Sequence, residues 1–499
     1  MRVGTGRFAV LLAVLALLFA ACSQSTSSAA PSASASTAVT SEQPSESAGS
    51  SESASPPPPT PLPANESQAK PGDVTIRWYC CLGTGDAPEQ VTVERKVADD
   101  FNATHPGIHL QFEGYVYAAA ADALSVQLGA GSGPDVVGPV GVGGAERFHG
   151  QWLDLQPYID KAKIDMSQYP ESTVKLYNAG GEGQLGIPYA VYPSVLFYKA
   201  GMFKEAGLKE PPHQWNATYT MPDGSTRPWD YDTVKEIAKI LTVDENGKDA
   251  TEDGFDPTKI VQWGFEPQRD DLRQTGAYFG AGSLLAADGK TAQMPDPWVA
   301  AWKQFYDGIW TDHYSMTGAQ FETTDLNPSG YPFCSGKVAM STNYLWSTYC
   351  LEDKTTGTDW NMAAAPAYKG KTTAAFNADT FRILKTSKNP DQAFEVLQYL
   401  LANKDLLELY GGTPAIESQQ DAHLEKVFGA YSQKPDWKVA KEGINFADVP
   451  NFESYTPAYS QTFDIILKYG TKWQTTPGLN LDTEISAMKD EIQAAWDAS

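Results

Sequence analysis

The sequence predicts an α/β protein whose folded part divides into two lobes. Three observations carry this. Residues 71–499 are too many for a single hydrophobic core, so two are expected. The start of that region alternates strand and helix patterns in βαβαβ order, which calls for a parallel sheet flanked by helices. The segment before it, 23–70, is Ser/Ala/Pro/Glu-rich without periodicity and has little apolar mass to offset ordering entropy.

Each element has its own signal. Val74-Thr75-Ile76-Arg77-Trp78-Tyr79 reads as a strand, followed by a loop from Cys80 to Asp86. Pro88 opens a helix with Val93, Val97 and Phe101 on one face, and His105-Pro106-Gly107 breaks it. Ile108, Leu110 and Phe112 alternate as a second strand. A helix over Ala118–Leu128 carries Leu124 and Leu128, and Asp135-Val136-Val137 is a third strand. Beyond Ile187-Pro188, Val195–Tyr198 is strand-like and a short helix ends at Gly207. Tyr231–Leu241 is helical, and Pro297 opens a helix bearing Trp298, Trp302, Phe305 and Ile309. Asn389 is read as the cap and Pro390 as the start of a helix carrying Phe394, Leu397 and Leu401. The last helix holds Ile485, Met488, Ile492 and Trp496.

The N-terminus has the layout of a secretory signal. Arg2 and Arg7 precede an apolar run from Phe8 to Ala21, too short to span a membrane stably, and small residues precede Cys22. Leu18-Phe19-Ala20-Ala21-Cys22 reads further as a lipoprotein signal. It makes residues 1–21 the signal peptide and Cys22 a lipidated N-terminus anchored to the cell membrane. An ordinary secreted protein or a true membrane anchor is the alternative. Residues 22–70 then form a tether spanning roughly 40 Å. The net charge of −24, from 61 acidic and 37 basic residues, argues against nucleic acid as a partner. Cys334 and Cys350, sixteen positions apart, suit a disulfide outside the cell, contributing about 3 kcal/mol. Adjacent Cys80 and Cys81 read equally as a vicinal disulfide or as two half-buried thiols.

Catalytic and metal motifs are missing from the sequence. Gly289-Lys290-Thr291 fails as a phosphate loop because Leu284 stands where its first glycine belongs. Neither GxSxG nor HExxH occurs, and the many carboxylates leave a glycosidase pair open without singling one out. His105 and His109 make a weak metal pair. Asp244–Asp249 resembles part of a calcium loop but fails in register, with Lys248 fifth and Phe255 twelfth, and a polar turn is the simpler reading. The 13 Trp and 24 Tyr suit sugars, whose apolar C–H faces stack on rings while hydroxyls bond to Asp, Asn and Glu. Trp298 and Trp302 on their helical stripe, and Trp152 among apolar neighbours, read as core. Trp263 and Trp346 lie in segments read as irregular, beside polar residues, and are open between ligand wall and core.

Seven fragments, in order, resemble the extracellular solute-binding proteins of ABC importers, in the branch that mostly binds sugars. They are Phe101–Ile108, Gly131–Val137, Trp152–Leu155, Tyr198–Leu208 followed by Pro211-Pro212, Ser335–Met340, Ser387–Pro390 and Gly412–Ala415. The resemblance runs from about residue 73 to the end. It implies a periplasmic-binding-protein-like (type II) fold, with hinge crossings and an interlobe cleft. Lobe one would be 71–187 plus 374–415, and lobe two 188–373 plus 416–499.

In such a fold the cleft is lined by loops at strand ends. That implies ligand contacts from Cys81, Asp86 and Glu89, from Tyr189 and Tyr192, and from Trp263 and Asp270. Asn343, Trp346, Asn377 and Asp379 complete the set. Trp346 is the nearest match to the family's ring-stacking Trp, and the adjacent cysteines depart from the commoner pattern. The implied function is capture of a sugar or oligosaccharide and delivery to a membrane permease, with no reaction, no cofactor and no metal, by a monomer. The rivals are a peptide or polyamine on the same scaffold, a secreted glycosidase, and an adhesion or sensor lipoprotein.

Overall fold

The computed structural model describes residues 59–179, 182–268, 272–280, 282–328, 330–351, 359–448, 453–454 and 456–499, with backbone alone for 179 and 349. Two mixed sheets organise the chain. The first takes β1 (Val74–Cys80), β2 (Ile108–Gly114), β3 (Val136–Val140), β4 (Ala190–Pro193), β10 (Phe376–Ile383) and β11 (Thr413–Pro414), in the order β11-β4-β10-β3-β1-β2. The second takes β5 (Val195–Lys199), β6 (Val243–Asp244), β7 (Ile260–Phe265), β8 (Val338–Asn343) and β9 (Trp360–Ala363), in the order β6-β7-β8-β5-β9.

The predicted βαβαβ unit forms as expected: β1 pairs in parallel with both β2 and β3. Between them lie α1 (Pro88–Thr104) and α2 (Tyr117–Gly129). Pro88 sits in the first turn of α1, where a missing N–H costs nothing. The Gln90 side-chain oxygen accepts from the N–H of Gly85 at 3.1 Å and of Ala87 at 3.2 Å, which locks the preceding loop onto the helix start. The buried face of α1 is Val91, Glu94, Val97, Ala98 and Phe101. Val93, expected on that face, is only half-buried, and a carboxylic acid takes the inward position beside it.

The chain passes from the first sheet to the second at a single residue. β4 ends at Pro193 and β5 begins at Val195. Ser194 between them is buried; its N–H donates to the Ala375 carbonyl and its hydroxyl oxygen accepts from the Ala375 N–H, each at 2.9 Å. Two extended segments therefore cross side by side there.

Two expectations need correction. Asn389 occupies the cap position before the Pro390–Ala402 helix, but its side chain makes no capping bond; Pro390 alone marks the start. The unstructured tether does not reach residue 70. Leu62 N–H donates to Gly114 O at 2.7 Å, and Asn65 accepts from Phe112 N–H at 2.9 Å while donating to Asp99 at 3.0 Å. Burial pushes the Asp99 carboxyl up, but hydrogen bonds from Ser67, Asn65 and Glu66 outweigh it and hold its pKa at about 2. β2 is the edge strand of its sheet, and the polar tail satisfies backbone groups that would otherwise template pairing. An argument from apolar mass alone misses this, because most of the attachment is made by hydrogen bonds, with Leu62 packed against the core. Cys22 lies outside the described residues.

Candidate functional site

Register on the crossing strands decides which side chains meet. β10 pairs antiparallel with β4, placing Asn377 opposite Tyr192 and Asp379 opposite Ala190. Strand alternation puts Tyr192, Asn377 and Asp379 on one face. Val191, Phe376 and Ala378 fall on the other, packed with Tyr177 and Ala415.

Asp379 is the polar centre of that first face. It is buried, and burial pushes its pKa up to about 7, against the hydrogen bond of the Thr84 hydroxyl at 3.4 Å. The strand-end loops close on it through glycines. A Cβ on Gly83 or Gly141 would stand 3.3 Å from one or the other of its oxygens. Tyr192 lies close enough for the two to influence each other electrostatically, and its hydroxyl reaches Tyr410 O at 3.4 Å.

An aromatic group adjoins these residues. Trp346 lies on the Leu345–Leu351 turn that follows β8. It stacks on Tyr344 (ring centroids 4.1 Å apart, planes at 21°) and meets Tyr192 edge-on at 5.1 Å. Trp346 is half-buried, whereas Tyr344 and Tyr192 are fully buried. Burial keeps both phenols far above their usual pKa, and therefore neutral. Together the indole, two phenols, one amide and one acid whose pKa burial raises can stack on an apolar face and exchange hydrogen bonds with hydroxyls.

The remaining predicted residues fall less centrally. Cys81 is disulfide-bonded to Cys80 and buried at the end of β1. Asp86 accepts from Tyr117 N–H at 2.8 Å, tying the first strand-end loop to the start of α2. Glu89 is exposed in the first turn of α1. Tyr189 is turned to packing: its hydroxyl donates to Asn403 O at 3.2 Å and its ring meets Phe381 edge-on. Asn343 is buried, its side-chain oxygen accepting from Tyr344 N–H at 2.8 Å. Trp263 is not in an irregular segment. It is buried on β7, paired with Val338. Asp270 lies outside the described residues. The Cys334–Cys350 disulfide is present. Trp152, Trp298 and Trp302 are fully buried core, as read from their spacing.

Nothing in the sequence singles out Tyr117, Arg273, Glu453 or Tyr459 as neighbours. Arg273 pairs with Glu453 at 2.5 Å and donates to Tyr459 Oη at 3.0 Å, while the Tyr459 hydroxyl donates to Glu453 at 2.9 Å. This cluster abuts Gly143, on the short helix α3 (Val142–Glu146) after β3. Tyr117, half-exposed at the start of α2, is near enough to influence Tyr459 electrostatically. No motif joins positions 143, 273 and 459, so only tertiary structure reveals the contact.

Two metal questions resolve locally. Cys80, Cys81 and buried Glu94 gather their ligand atoms within 4.8 Å, but the sulfurs are bonded to each other. Burial pushes Glu94 up to about 8, against a 2.6 Å hydrogen bond from Tyr410. Near 244–256, the Asp244 carboxylate is committed to the backbone N–H groups of Asn246 at 2.8 Å and Lys248 and Asp256 at 3.0 Å. That is a polar turn closed on itself. A cavity of about 570 Å³, lined by Ser172, Glu417, Gln420, Lys441 and Ile444 among others, includes none of the predicted site residues. No helix among the described residues is long and apolar enough to cross a membrane.

The fold consists of two mixed sheets, flanked by helices and joined by strands that cross side by side at Ser194 and Ala375. Residues 86–406 match the family model described as bacterial extracellular solute-binding protein, and the chain belongs to that family. A putative binding protein of Brucella abortus is 21% identical over 326 residues, covering 61% of this chain and 67% of the relative. Among solved structures, an ABC substrate-binding protein from Listeria monocytogenes in complex with cycloalternan superposes with a TM-score of 0.64 at 18% identity, covering 85% of this chain and 98% of that one. An ABC transporter solute-binding protein from Thermotoga lettingae, bound with α-D-tagatose, gives 0.62 at 18%, covering 85% and 99%. These likenesses establish the two-lobed binding-protein fold.

Proposed function

We propose that this chain captures a sugar or oligosaccharide outside the cell and hands it to the permease of an ABC importer, catalysing no reaction itself. The observation that carries the reading is the Trp346–Tyr344–Tyr192 ring group beside Asn377 and Asp379 on the crossing strands. A neutral polyhydroxylated solute suits it. The half-buried indole offers a stacking face, and a carboxyl whose pKa burial raises to about 7 accepts when ionised and donates when protonated. The sugar-bound state of the two structural neighbours named above agrees with this choice.

In this reading the lobes expected as 71–187 plus 374–415 and 188–373 plus 416–499 are hinged where Ser194 pairs with Ala375, which moves the first boundary from 188 to 194 because β4 belongs to the first sheet. Tyr192, Trp346, Asn377 and Asp379 hold the ligand, with Cys81 and Asp86 shaping the loop above. Glu89, Tyr189, Trp263, Asp270 and Asn343 act at the periphery or through packing. Cys22 carries the lipid, and the tether is shortened to residues 22–61 by the attachment at Leu62 and Asn65. A ligand touching both lobes favours closure by its differential affinity.

The test is a thermal-shift panel of cycloalternan, tagatose, maltose, maltotriose, a tripeptide and spermidine. A sugar is expected to raise Tm by mass action, and the tripeptide and spermidine are not. A shift with spermidine or the tripeptide alone would replace the sugar reading, and turnover of a chromogenic glycoside would replace capture with hydrolysis.

A further inference from the structure

Among the described residues, the turn that carries Trp346 makes local hydrogen bonds and packs into the core through buried Leu345, Cys350 and Leu351. In these bonds Ser347 Oγ donates to Tyr344 O and Thr348 Oγ1 to Leu345 O, each at 2.7 Å. Such short-range bonds define a 3₁₀ turn, which is weak by itself. From outside it receives the Tyr431 hydroxyl, 3.3 Å from Thr348 O, and the backbone of Gly411, packed against Leu345 and Trp346. The covalent restraint is the bond from Cys350 to Cys334.

Cys334 is well placed to act as a fixed point. It sits in the Pro332–Ser335 turn just before β8, and neighbouring Phe333 packs against Phe197 of β5. The disulfide therefore ties the far end of the Trp346 turn back to the entry of the strand that delivers it. Strand β8 and the turn become one closed loop, with Trp346 four residues before the closing cysteine.

We infer that the Cys334–Cys350 disulfide is a positioning device for ligand recognition: it holds the Trp346 ring on Tyr344 with its other face available to the solute. The inference rests on the proposed role of Trp346. Preorganising a stacking ring raises affinity by removing the ordering cost from the binding step. The disulfide touches no ligand and acts through Trp346 alone.

The test uses the full-length protein and its variants Cys334→Ser/Cys350→Ser, Trp346→Ala, the triple combination, Trp346→Phe and Tyr431→Phe. Without ligand, the near-UV circular dichroism difference between the parent and Trp346→Phe is expected to shrink at least by half when the two cysteines are replaced, with the far-UV spectrum unchanged. With the panel sugar giving the largest Tm shift, the double cysteine variant is expected to bind about tenfold more weakly, and that loss should vanish in the Trp346→Ala background. Tyr431→Phe keeps the disulfide and should leave spectrum and affinity unchanged. If the double variant fails to fold, a lost Trp346 signal in Tyr431→Phe still overturns the inference. So does a cysteine effect of equal size with and without Trp346, because it would then be general destabilisation. Parent-like affinity in Trp346→Ala, or no panel sugar binding, overturns the site reading itself and this inference with it.

Discussion

The hydroxyl of Tyr459 occupies the space that a Cβ on Gly143 would need. Glu453 closes the same notch, with a carboxylate oxygen 2.7 Å from that Cβ position. Gly143 follows the first sheet's β3, whereas Arg273 follows β7 of the second sheet and Tyr459 begins a helix, Tyr459–Thr475, that packs with the Arg273–Ala277 helix. The parts of the chain built on the two sheets thus meet through a residue without a side chain. Gly143→Ala should force the surfaces apart, costing about 1–3 kcal/mol of stability through overpacking. Small-angle scattering should report a larger radius of gyration, and calorimetry weaker sugar binding. An alanine variant with the parent's dimensions and affinity would show that the contact has no part in closure.

Trp346→Ala should weaken sugar binding by about 10- to 100-fold, since aromatic truncation at a ligand wall removes both area and stacking. Because the ring is half-buried, the unfolding free energy should fall by less than about 2 kcal/mol. Calorimetry beside urea denaturation separates the two effects; a large stability loss with unchanged affinity would make Trp346 core.

Stability should fall as the pH rises through neutrality. Glu94 and Asp379 have folded pKa values of about 8 and about 7, well above ordinary carboxylates. Between about pH 4 and those values the folded state binds more protons than the unfolded one. Their contribution is therefore fully present below about pH 4 and is lost progressively up to about pH 7–8. Glu94→Gln should flatten the upper part of that decline in Tm between pH 5 and 8. An unchanged slope would place the titration elsewhere.

Asp244→Ala removes the acceptor for three backbone N–H groups and should destabilise the protein by about 1–3 kcal/mol. Adding calcium or a chelator should leave the Tm of the parent unchanged. A calcium-dependent Tm abolished by Asp244→Ala would turn the turn into a binding loop.

Asp99→Ala should release the segment from Leu62 to Ser67, because Asp99 receives hydrogen bonds from Asn65, Glu66 and Ser67. Limited proteolysis should then cut between residues 59 and 70 in the variant but not in the parent. Equal resistance would show that Leu62 and the Asn65 bonds to β2 suffice.

Much of the fold was legible because local signals agreed with one another. Pro88, Pro297 and Pro390 each mark a helix start, and the stripe Trp298, Trp302, Phe305 and Ile309 is buried. Failures came where a local pattern had two physical solutions. Val93 yielded the inward position to Glu94 because a neutral buried acid bonded to Tyr410 can replace an aliphatic side chain. Trp263 read as irregular because its strand is short and flanked by polar residues. Of the candidate site, the segment containing Tyr344 and Trp346 could be found from its motif, but their stacking on one another and against Tyr192 could not.

By itself, the sequence determined the alternation of strands and helices and the cysteine pair able to bridge residues 334 and 350. Those follow from periodicity and spacing, both of which are properties of neighbouring residues. Only the tertiary structure decided that Asn377 faces Tyr192, that Asp379 is buried under Gly83 and Gly141, and that Gly143 meets Tyr459. Such pairings depend on strand register and on packing between segments hundreds of residues apart, and a shift of one residue would turn each of those strand side chains to the opposite face.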